Sequence, residues 1–285
     1  MHSPSSKANR LSIPDPAPTS VYNFDRVAAE YEATRYMPNR IAERVAQQIT
    51  RNLDPTDWLL EAGIGTGRIG RALLRQHPRT VGIDISHAML GYLRTAYGES
   101  QNALPLALAD VRALPFPDNT FETVVAVHVL HLIPQWERAL GEIWRVLPVG
   151  GKLVLGVEDR TTSAIRDYFF ARAAELNALP TTRSGAHSSE VIAALRRQKV
   201  MVQERRLSAL SWRQSITAAQ TLDRLRRRTY SILWQMPDEK LTHLLHETRT
   251  WAAQQYGTAD MGRIVETIDF QMVLFFATRQ AVQKQ

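Results

Sequence analysis

The sequence contains no cysteine among its 285 residues. This absence excludes disulfide bonds, thiolate zinc sites, cysteine-ligated iron–sulfur clusters and a cysteine nucleophile. Long apolar runs are also lacking, since the longest are Val124–Ile133, which two histidines interrupt, and Met272–Ala277. Both are much shorter than the roughly 20 apolar residues that a bilayer-spanning helix needs. We therefore expect no membrane span.

The first 20 residues have little apolar character. They contain four prolines and five serines, and they lack the apolar stretch of a secretory signal. We expect a disordered tail over residues 1–20 and a cytoplasmic protein. The rest of the chain is typical of a globular fold, because 44% of all residues are hydrophobic and 22% are charged. The length allows one large α/β domain with an elaboration, or two small domains.

Positive charge is concentrated in one stretch. The formal net charge of the chain is +7, and residues 183–228 contain eleven basic residues against three acidic ones, a local surplus of +8. Such a cluster faces a nucleic acid, an anionic lipid surface or an acidic substrate in some proteins. In others it is only the solvated face of a helix. The sequence leaves both interpretations open.

Short apolar strands alternate with amphipathic helices in the middle of the chain. Helical periodicity covers Tyr22–Arg51, with Pro38 separating two helices. The predicted strands that follow are Trp58–Ala62, Thr80–Asp84, Leu104–Ala109, Phe121–Val129 and Lys152–Val157. The helices between them are predicted from Arg68 towards Pro78, over His87–Tyr97 and over Trp136–Val146. This alternation is typical of a parallel sheet covered on both faces.

Beyond residue 160 the pattern becomes mostly helical. Helices are predicted over Ser163–Leu176, Ser188–Arg197, Leu222–Leu233 and Asp238–Gln255. Two further strands are predicted over Val200–Leu210 and Thr267–Thr278. We expect the helices between these two strands to form a cap.

A glycine-rich turn follows the first predicted strand, with the sequence Glu61-Ala62-Gly63-Ile64-Gly65-Thr66-Gly67. Glycine lets the backbone approach a ligand closely and adopt positive φ angles. The N-terminus of the helix that follows offers free N–H groups to an anionic part of the ligand. Gly65, Gly67 and Gly70 also satisfy the GxGxxG pattern of dinucleotide enzymes, so glycine spacing alone leaves a dehydrogenase open. Asp84 suits ribose hydroxyls in either case.

Two carboxylates favour a different ligand. Glu61 stands directly before the glycines, where it would repel a pyrophosphate and attract the ammonium of an amino acid. Asp110 ends the third strand and is suited to accept a hydrogen bond from an exocyclic adenine amine.

With these motifs in order, the chain resembles the class I S-adenosylmethionine-dependent methyltransferases, in the group that includes ubiquinone/menaquinone and small-molecule methyltransferases. The segments EAGIGTG, VGIDIS, LADVRALPFPDNTF, VVAVHVLHLI and LPVGGKLVL carry the resemblance from about Phe24 to Leu155. It implies a doubly wound seven-stranded α/β sheet of order 3-2-1-4-5-7-6 with strand seven antiparallel. The implied parts are N-terminal helices over 21–54, a cofactor-binding core over 55–160, and the rest of the sheet over 161–285 with a helical substrate cap at about 181–262.

The resemblance also implies roles for individual residues. Gly63, Gly65 and Gly67 would line the methionyl and ribose part of S-adenosylmethionine, with Glu61 near its ammonium. Asp84 would bind the ribose hydroxyls. The adenine would contact Ile85, Met89, Asp110 and Val111, although Ile85 and Met89 also suit an ordinary core. His128 would lie on the sulfonium side. Tyr31 and Arg35 share one helix face, and the resemblance implies that they lie over the cofactor. Arg35 would then pair with the methionyl carboxylate; the alternative is that it is an ordinary surface arginine.

The catalytic residues are less defined. A sulfonium already activates the methyl group, so the protein has to align the acceptor and exclude water, and a general base helps only a hydroxyl or a protonated amine. His131 and Glu158 are weak candidates for that base, and a core position is the favoured interpretation of His131. Five aromatic residues offer walls for an acceptor pocket, or a core for the cap: Trp212, Tyr230, Trp234, Trp251 and Tyr256. His243 and His246 have no carboxylate set beside them, so we expect no metal site.

The leading hypothesis is therefore a methyltransferase that acts on O, N or C of a small-molecule acceptor, anionic or aromatic in character. An RNA or DNA methyltransferase that uses the arginine-rich residues 196–228 is the second. A non-methylating cyclase or interaction protein that still binds the cofactor is the third. A nicotinamide dehydrogenase is the least favoured, because of Glu61.

Overall fold

A computed structural model describes residues 37–97, 105–180 and 185–281. Its helices are α1 (Asn39–Thr50), α2 (Gly70–Gln76), α3 (His87–Tyr97), α4 (Trp136–Val146), α5 (Ala164–Glu175), α6 (Ser188–Arg197), α7 (Ala218–Arg226) and α8 (Asp238–Tyr256). Its strands are β1 (Leu59–Ala62), β2 (Thr80–Asp84), β3 (Leu106–Leu108), β4 (Thr123–Val127), β5 (Lys152–Arg160), β6 (Val202–Thr217) and β7 (Val265–Thr278). The predicted tail over residues 1–20 and the first predicted helix lie outside the described residues.

The seven strands form one sheet in the order β3-β2-β1-β4-β5-β7-β6. Strands β1 to β5 are parallel, whereas β7 pairs antiparallel with both β5 and β6. The predicted fold class is therefore confirmed, including the antiparallel seventh strand. The central strands consist of apolar residues because helices cover both of their faces.

Two apolar layers hold the helices against the sheet. In β4, Val124 and Ala126 face the layer that contains α4 and α6, while Val125 and Val127 face the layer that contains α1 and α2. A fully buried member such as Ile143 of α4 contributes roughly 2 kcal/mol through the apolar area that it removes from water. Both layers leave the carboxyl ends of β1, β2 and β4 clear of helices, and ligands bind at this edge in open α/β sheets.

A third apolar cluster joins α5, α7 and α8 into a cap. Its buried members include Phe169 of α5, Leu225 of α7 and Leu244 of α8. Helices α7 and α8 follow β6 and precede β7, as the sequence predicts for a cap between the last two strands. No helix in the described part of the chain combines the length and the apolar character needed to cross a bilayer.

The largest departures from the predicted bounds are in the sixth strand and in the helix that follows it. The sixth strand does not end at Leu210 but continues to Thr217, because the buried residues Trp212 and Ile216 keep the two-residue alternation beyond a bulge between Arg206 and Ser211. The predicted helix Leu222–Leu233 is instead α7 followed by a separate 3₁₀ turn, Ser231–Leu233. The chain adopts a φ of +53° at Arg228, which ends α7.

Candidate cofactor site and adjoining cavity

The glycine loop between β1 and α2 has a positive φ at alternate residues: +71° at Gly63, +56° at Gly65 and +79° at Gly67. A Cβ on Gly63 would overlap Cγ2 of Val129, so packing requires glycine there. A Cβ on Gly65 would have no atom within 4 Å. Gly65 therefore borders open space, and its lack of a side chain leaves that space to a ligand.

Asp84 at the end of β2 holds this loop from the other side. Its Oδ2 accepts a hydrogen bond from the N–H of Gly65 at 2.8 Å, and its Oδ1 accepts one from the N–H of Ser86 at 2.8 Å. Hydrogen bonds to a carboxylate are about twice as strong as neutral ones. The two bonds therefore fix the end of β2 against the glycine loop.

Glu61, the next-to-last residue of β1, carries a buried carboxyl group, and only 3% of the residue is exposed. Among the described residues its Oε2 has no hydrogen-bond partner. Burial raises the pKa of Glu61 to about 8; the charge of Arg68 acts to lower it, and the charge of Asp84 acts to raise it. The residue is therefore mostly neutral near pH 7, and a cationic ligand group beside it would supply the missing partner.

Asp110 follows β3 and is held by Arg112. The Nη2 and Nε atoms of Arg112 donate to Oδ2 of Asp110 at 2.7 and 2.9 Å, and the backbone N–H of Arg112 donates to Oδ1 at 2.8 Å. Burial acts to raise the pKa of Asp110, but these hydrogen bonds, with the charges of Arg112 and Arg138, bring it below its usual value. Asp110 is therefore a fixed, ionised acceptor.

These residues line one cavity, which we call the donor cavity. It brings together nine of the twelve residues predicted for the cofactor: Glu61, Gly63, Gly65, Asp84, Ile85, Met89, Asp110, Val111 and His128. Gly67 does not line it, and Tyr31 and Arg35 lie outside the described residues. Met89 is buried, whereas Ile85 is 42% exposed, an unusual degree for a large apolar side chain beside a cavity. The exposure of Ile85 argues against an ordinary core position.

The sequence reasoning missed other residues of the donor cavity. They are Ile64, Thr66, Arg68, Ile69, Arg112, Val127, Val129, Leu132, Ile133 and Pro134. Thr66 and Arg68 alternate with the glycines of the loop, so their position in the sequence could have predicted that they line the cavity. The 3₁₀ turn Leu130–Leu132 brings Leu132 to Pro134 back to the cavity, and no residue type in that segment indicates such a turn.

A second cavity, which we call the acceptor cavity, adjoins the first. It lies between the ends of β4 and β5 and the start of α6, and its polar lining is His128, His131, Glu158, Arg160, His187 and Ser188. The apolar lining includes Val129, Leu130, Val157 and Val191. His128 and Val129 line both cavities. Both predicted base candidates, His131 and Glu158, are therefore in the acceptor cavity.

Two interpretations of single residues are corrected. His131 is exposed and is not a core histidine, because the 3₁₀ turn after β4 carries it out of the apolar stretch. Trp212 is not a wall of the cap: it lies on β6, 4% exposed, and stacks on Phe270 at 5.1 Å between ring centroids. None of the five predicted aromatic residues lines the described acceptor cavity.

Ion pairs neutralise part of the basic stretch: five of its eleven basic residues have an acidic partner within the described part of the chain. Arg206 pairs with Asp159 at 2.7 Å, and Arg213 pairs with Asp269 at 2.6 Å. Asp223 pairs with two arginines, and Arg228 pairs with Asp238. The acids at 159, 238 and 269 lie outside the stretch in sequence, so counting charges within residues 183–228 overestimates the local positive potential.

Within the described residues no group of three or more histidine, aspartate or glutamate side chains is arranged to hold a metal ion. His243 is instead 3.7 Å from Glu247, one turn further along α8.

Known proteins resemble the chain over the same region. A methyltransferase domain family matches residues 60–155. The phosphatidylethanolamine N-methyltransferase of Cereibacter sphaeroides is 38% identical over 99 residues, which are 34% of this chain and 48% of that protein. The demethylmenaquinone methyltransferase of Symbiobacterium thermophilum is 32% identical over 142 residues, or 46% of this chain and 55% of that protein. The chain thus spans about half the length of these curated relatives.

The fold is shared over a longer stretch. The YcgJ protein of Bacillus subtilis superposes with a TM-score of 0.57 at 15% identity, covering 84% of this chain and 98% of that protein. Sheet order, cavity and matched domain agree with one another. Residues 60–155 therefore match a methyltransferase domain family, and the sheet order is the one that the resemblance to the class I methyltransferases implies.

Proposed function

We propose that the protein transfers a methyl group from S-adenosylmethionine to O, N or C of a small-molecule acceptor by in-line displacement. The observation that carries this proposal is the donor cavity, where an unpartnered buried carboxyl, an open glycine and a fixed aspartate meet at the sheet edge. The adjoining acceptor cavity gives a second molecule a place beside the first.

The residues of the donor cavity fit the cofactor. Oε2 of Glu61 lacks a partner among the described residues, and the cofactor's ammonium would supply one. The open space at Gly65 takes the chain of the methionyl part and the ribose, whose hydroxyls Asp84 would bind. Asp110 and Val111 would take the adenine, with Ile85 and Met89 packed on it. When bound, the cofactor supplies a methyl group made electrophilic by the positive sulfur.

The chain's own part is to align the acceptor and to exclude water. The apolar lining of the acceptor cavity suits the body of an organic molecule, while its polar lining suits one or two anchoring groups. Glu158 is half-buried there, and a base at this place would remove a proton from a hydroxyl or an amine. We propose that Tyr31 and Arg35 complete the donor side and that residues 161–285 select the acceptor.

The relatives suggest the class of acceptor. One is named for demethylmenaquinone, a quinone precursor, and another for phosphatidylethanolamine, a lipid. An apolar or aromatic molecule of this kind fits the walls formed by Val129, Leu130, Val157 and Val191. The matched residues cover the cofactor-binding core, so the acceptor itself remains to be found by a substrate screen.

The first experiment is calorimetric titration of the full chain with S-adenosylhomocysteine, and separately with NADH. We expect micromolar binding of S-adenosylhomocysteine alone, and loss of that binding in Asp84→Ala. Asp118→Ala is the matched control, because Asp118 is an exposed aspartate that pairs with Arg145 and does not line the cavity. Failure of S-adenosylhomocysteine to bind would overturn the proposal. Binding of NADH instead would favour a dehydrogenase.

A further inference from the structure

His128 occupies the junction of the two cavities. Of the described residues, His128 and Val129 line both of them, and His128 is the titratable one of the two. Any acceptor molecule that reaches from the second cavity towards the first passes this side chain. The imidazole of histidine takes up and releases protons near neutral pH.

The backbone of His128 is held in an unusual conformation. Its φ is +56°, in the left-handed region that few residues other than glycine adopt. Such a conformation costs of order 1 kcal/mol or more and persists where the surroundings enforce it. Here the N–H of His128 donates to the carbonyl of Gly156 on β5 at 3.4 Å, directly after the paired residues Val127 and Gly156. The turn therefore carries His128 out of the β4 ladder at the sheet edge.

Charged and titratable groups surround His128 on each side. On its own element, the ring of His131 lies at 6.3 Å between centroids and is almost perpendicular. From β5 and α6 come Glu158, Arg160 and His187 in the acceptor cavity. From the other elements come Glu61, Arg68, Asp84, Asp110 and Arg112 in the donor cavity. Carboxylates and cations therefore both line the two cavities that meet at His128.

We infer that His128 is a catalytic residue that accepts the proton of an O–H or N–H acceptor during methyl transfer. This inference rests on the proposed function, and it narrows the acceptor from O, N or C to a protonated heteroatom. The acceptor's heteroatom gives its lone pair to the methyl carbon, and the carbon–sulfur bond breaks with its electron pair left on sulfur. The acceptor's proton passes to an imidazole nitrogen of His128, which later releases it to water. Charge and atoms balance without a further reactant.

The test compares two ligands that differ by one methyl group and one positive charge. The imidazole protons of His128 are titrated by NMR in the full chain saturated with S-adenosylmethionine, and again with S-adenosylhomocysteine. If His128 faces the reacting methyl group, the sulfonium charge disfavours its protonated form. We expect its measured pKa to be lower with S-adenosylmethionine by about one unit, a tenfold change in proton affinity, and to lie below about 7.

Two variants assign the signals and provide the control. His128→Asn removes the imidazole, and asparagine tolerates the left-handed backbone that the site requires. His131→Asn removes the exposed neighbouring ring and leaves His128 in place. We expect the sulfonium-dependent signal to disappear in the first variant and to persist in the second. If His128→Asn fails to fold, the signal of His128 is assigned by elimination: His131→Asn identifies the signal of His131, and the histidines outside both cavities should not respond to the sulfonium.

Each outcome bears on one claim. If S-adenosylhomocysteine does not bind, the proposed function fails before His128 is tested. If both ligands bind and the pKa of His128 is the same in the two complexes, the inference is overturned while the proposed function stands. A His128 that remains protonated at pH 7 with S-adenosylmethionine bound also overturns it, because a protonated imidazole accepts no further proton.

Discussion

The donor and acceptor cavities share a wall but are built differently. The donor cavity depends on the backbone conformation of the glycine loop and on carboxylates at strand ends that backbone N–H groups hold, such as Asp84 with Gly65 and Ser86 and Asp110 with Arg112. The acceptor cavity is formed by side chains from three segments, residues 126–131, 155–160 and 186–191. A site that local backbone requirements define can be predicted from the sequence. A site formed by side chains that are distant in sequence can be located only once the fold is known.

The largest effect is expected at Asp84. Asp84→Ala removes the charged acceptor of the Gly65 and Ser86 N–H groups and the partner for ribose hydroxyls. We expect the affinity for S-adenosylhomocysteine to fall about 100-fold or more, about 3 kcal/mol, measured by calorimetry. Asp118→Ala should remain within about twofold of wild type. An equal loss in both variants would break the claim that the donor cavity depends on this one contact.

Substitutions at two glycines of the loop should have different effects, one on the free energy of unfolding and the other on cofactor binding. Gly63→Ala introduces an unfavourable φ and an overlap with Val129, so we expect unfolding to become about 3 kcal/mol easier in a urea titration. Gly65→Ala meets open space, so we expect only about 1 kcal/mol of destabilisation but about tenfold weaker binding of S-adenosylhomocysteine. Gly91→Ala, in α3 and with no atom near the added Cβ, is the control and should stabilise slightly. Equal destabilisation by Gly63→Ala and Gly65→Ala would contradict this division.

Glu61 gives the donor cavity a pH dependence. Because burial raises its pKa from 4.5 to about 8, its contribution to stability is fully present below about pH 4.5 and is lost as the pH rises towards 8. Between about pH 6 and about pH 8 the ligand-free wild type should lose about 2 kcal/mol of unfolding free energy relative to Glu61→Gln.

Ligand binding should show the opposite trend. Binding of S-adenosylhomocysteine to the wild type should tighten by about tenfold or more over the same pH range, because the bound ammonium requires the ionised carboxylate. Binding to Glu61→Gln should be weaker and should lack this dependence. A flat pH profile for the wild type would mean that Glu61 is not the ammonium partner.

The smallest effect is expected on the basic surface. Arg226 and Arg227 both pair with Asp223 on an exposed face, and such pairs contribute little. The double variant Arg226→Gln, Arg227→Gln should change the free energy of unfolding by less than about 0.5 kcal/mol and leave S-adenosylhomocysteine binding unchanged. Wild type should also show no salt-dependent shift with tRNA in a gel assay. A shift that the double variant abolishes would revive the nucleic-acid interpretation.

Most of the fold was predictable from the sequence. Buried apolar runs such as Thr123–Val127 fixed the central strands, and glycine and aspartate at strand ends located the donor cavity. The length of β6 was not predictable, since a bulge interrupts its alternation after Arg206. The position of His128 in both cavities depends on a left-handed turn, and the modest preference of histidine for that conformation is too weak to predict the turn. The roles of the predicted site residues, and the domain boundaries, remain predictions.

The place of β7 in the sheet has a consequence for the order of synthesis. This late strand lies between β5 and β6 and pairs with each of them, with Leu153 opposite Ala277 on one side and Trp212 opposite Phe270 on the other. On a ribosome, which releases the chain from its N-terminus, β1 to β5 emerge first and have their parallel partners available. β6 waits without a ladder until β7 emerges. The nascent chain can therefore pair β1 to β5 first, and β6 joins the sheet last, through β7.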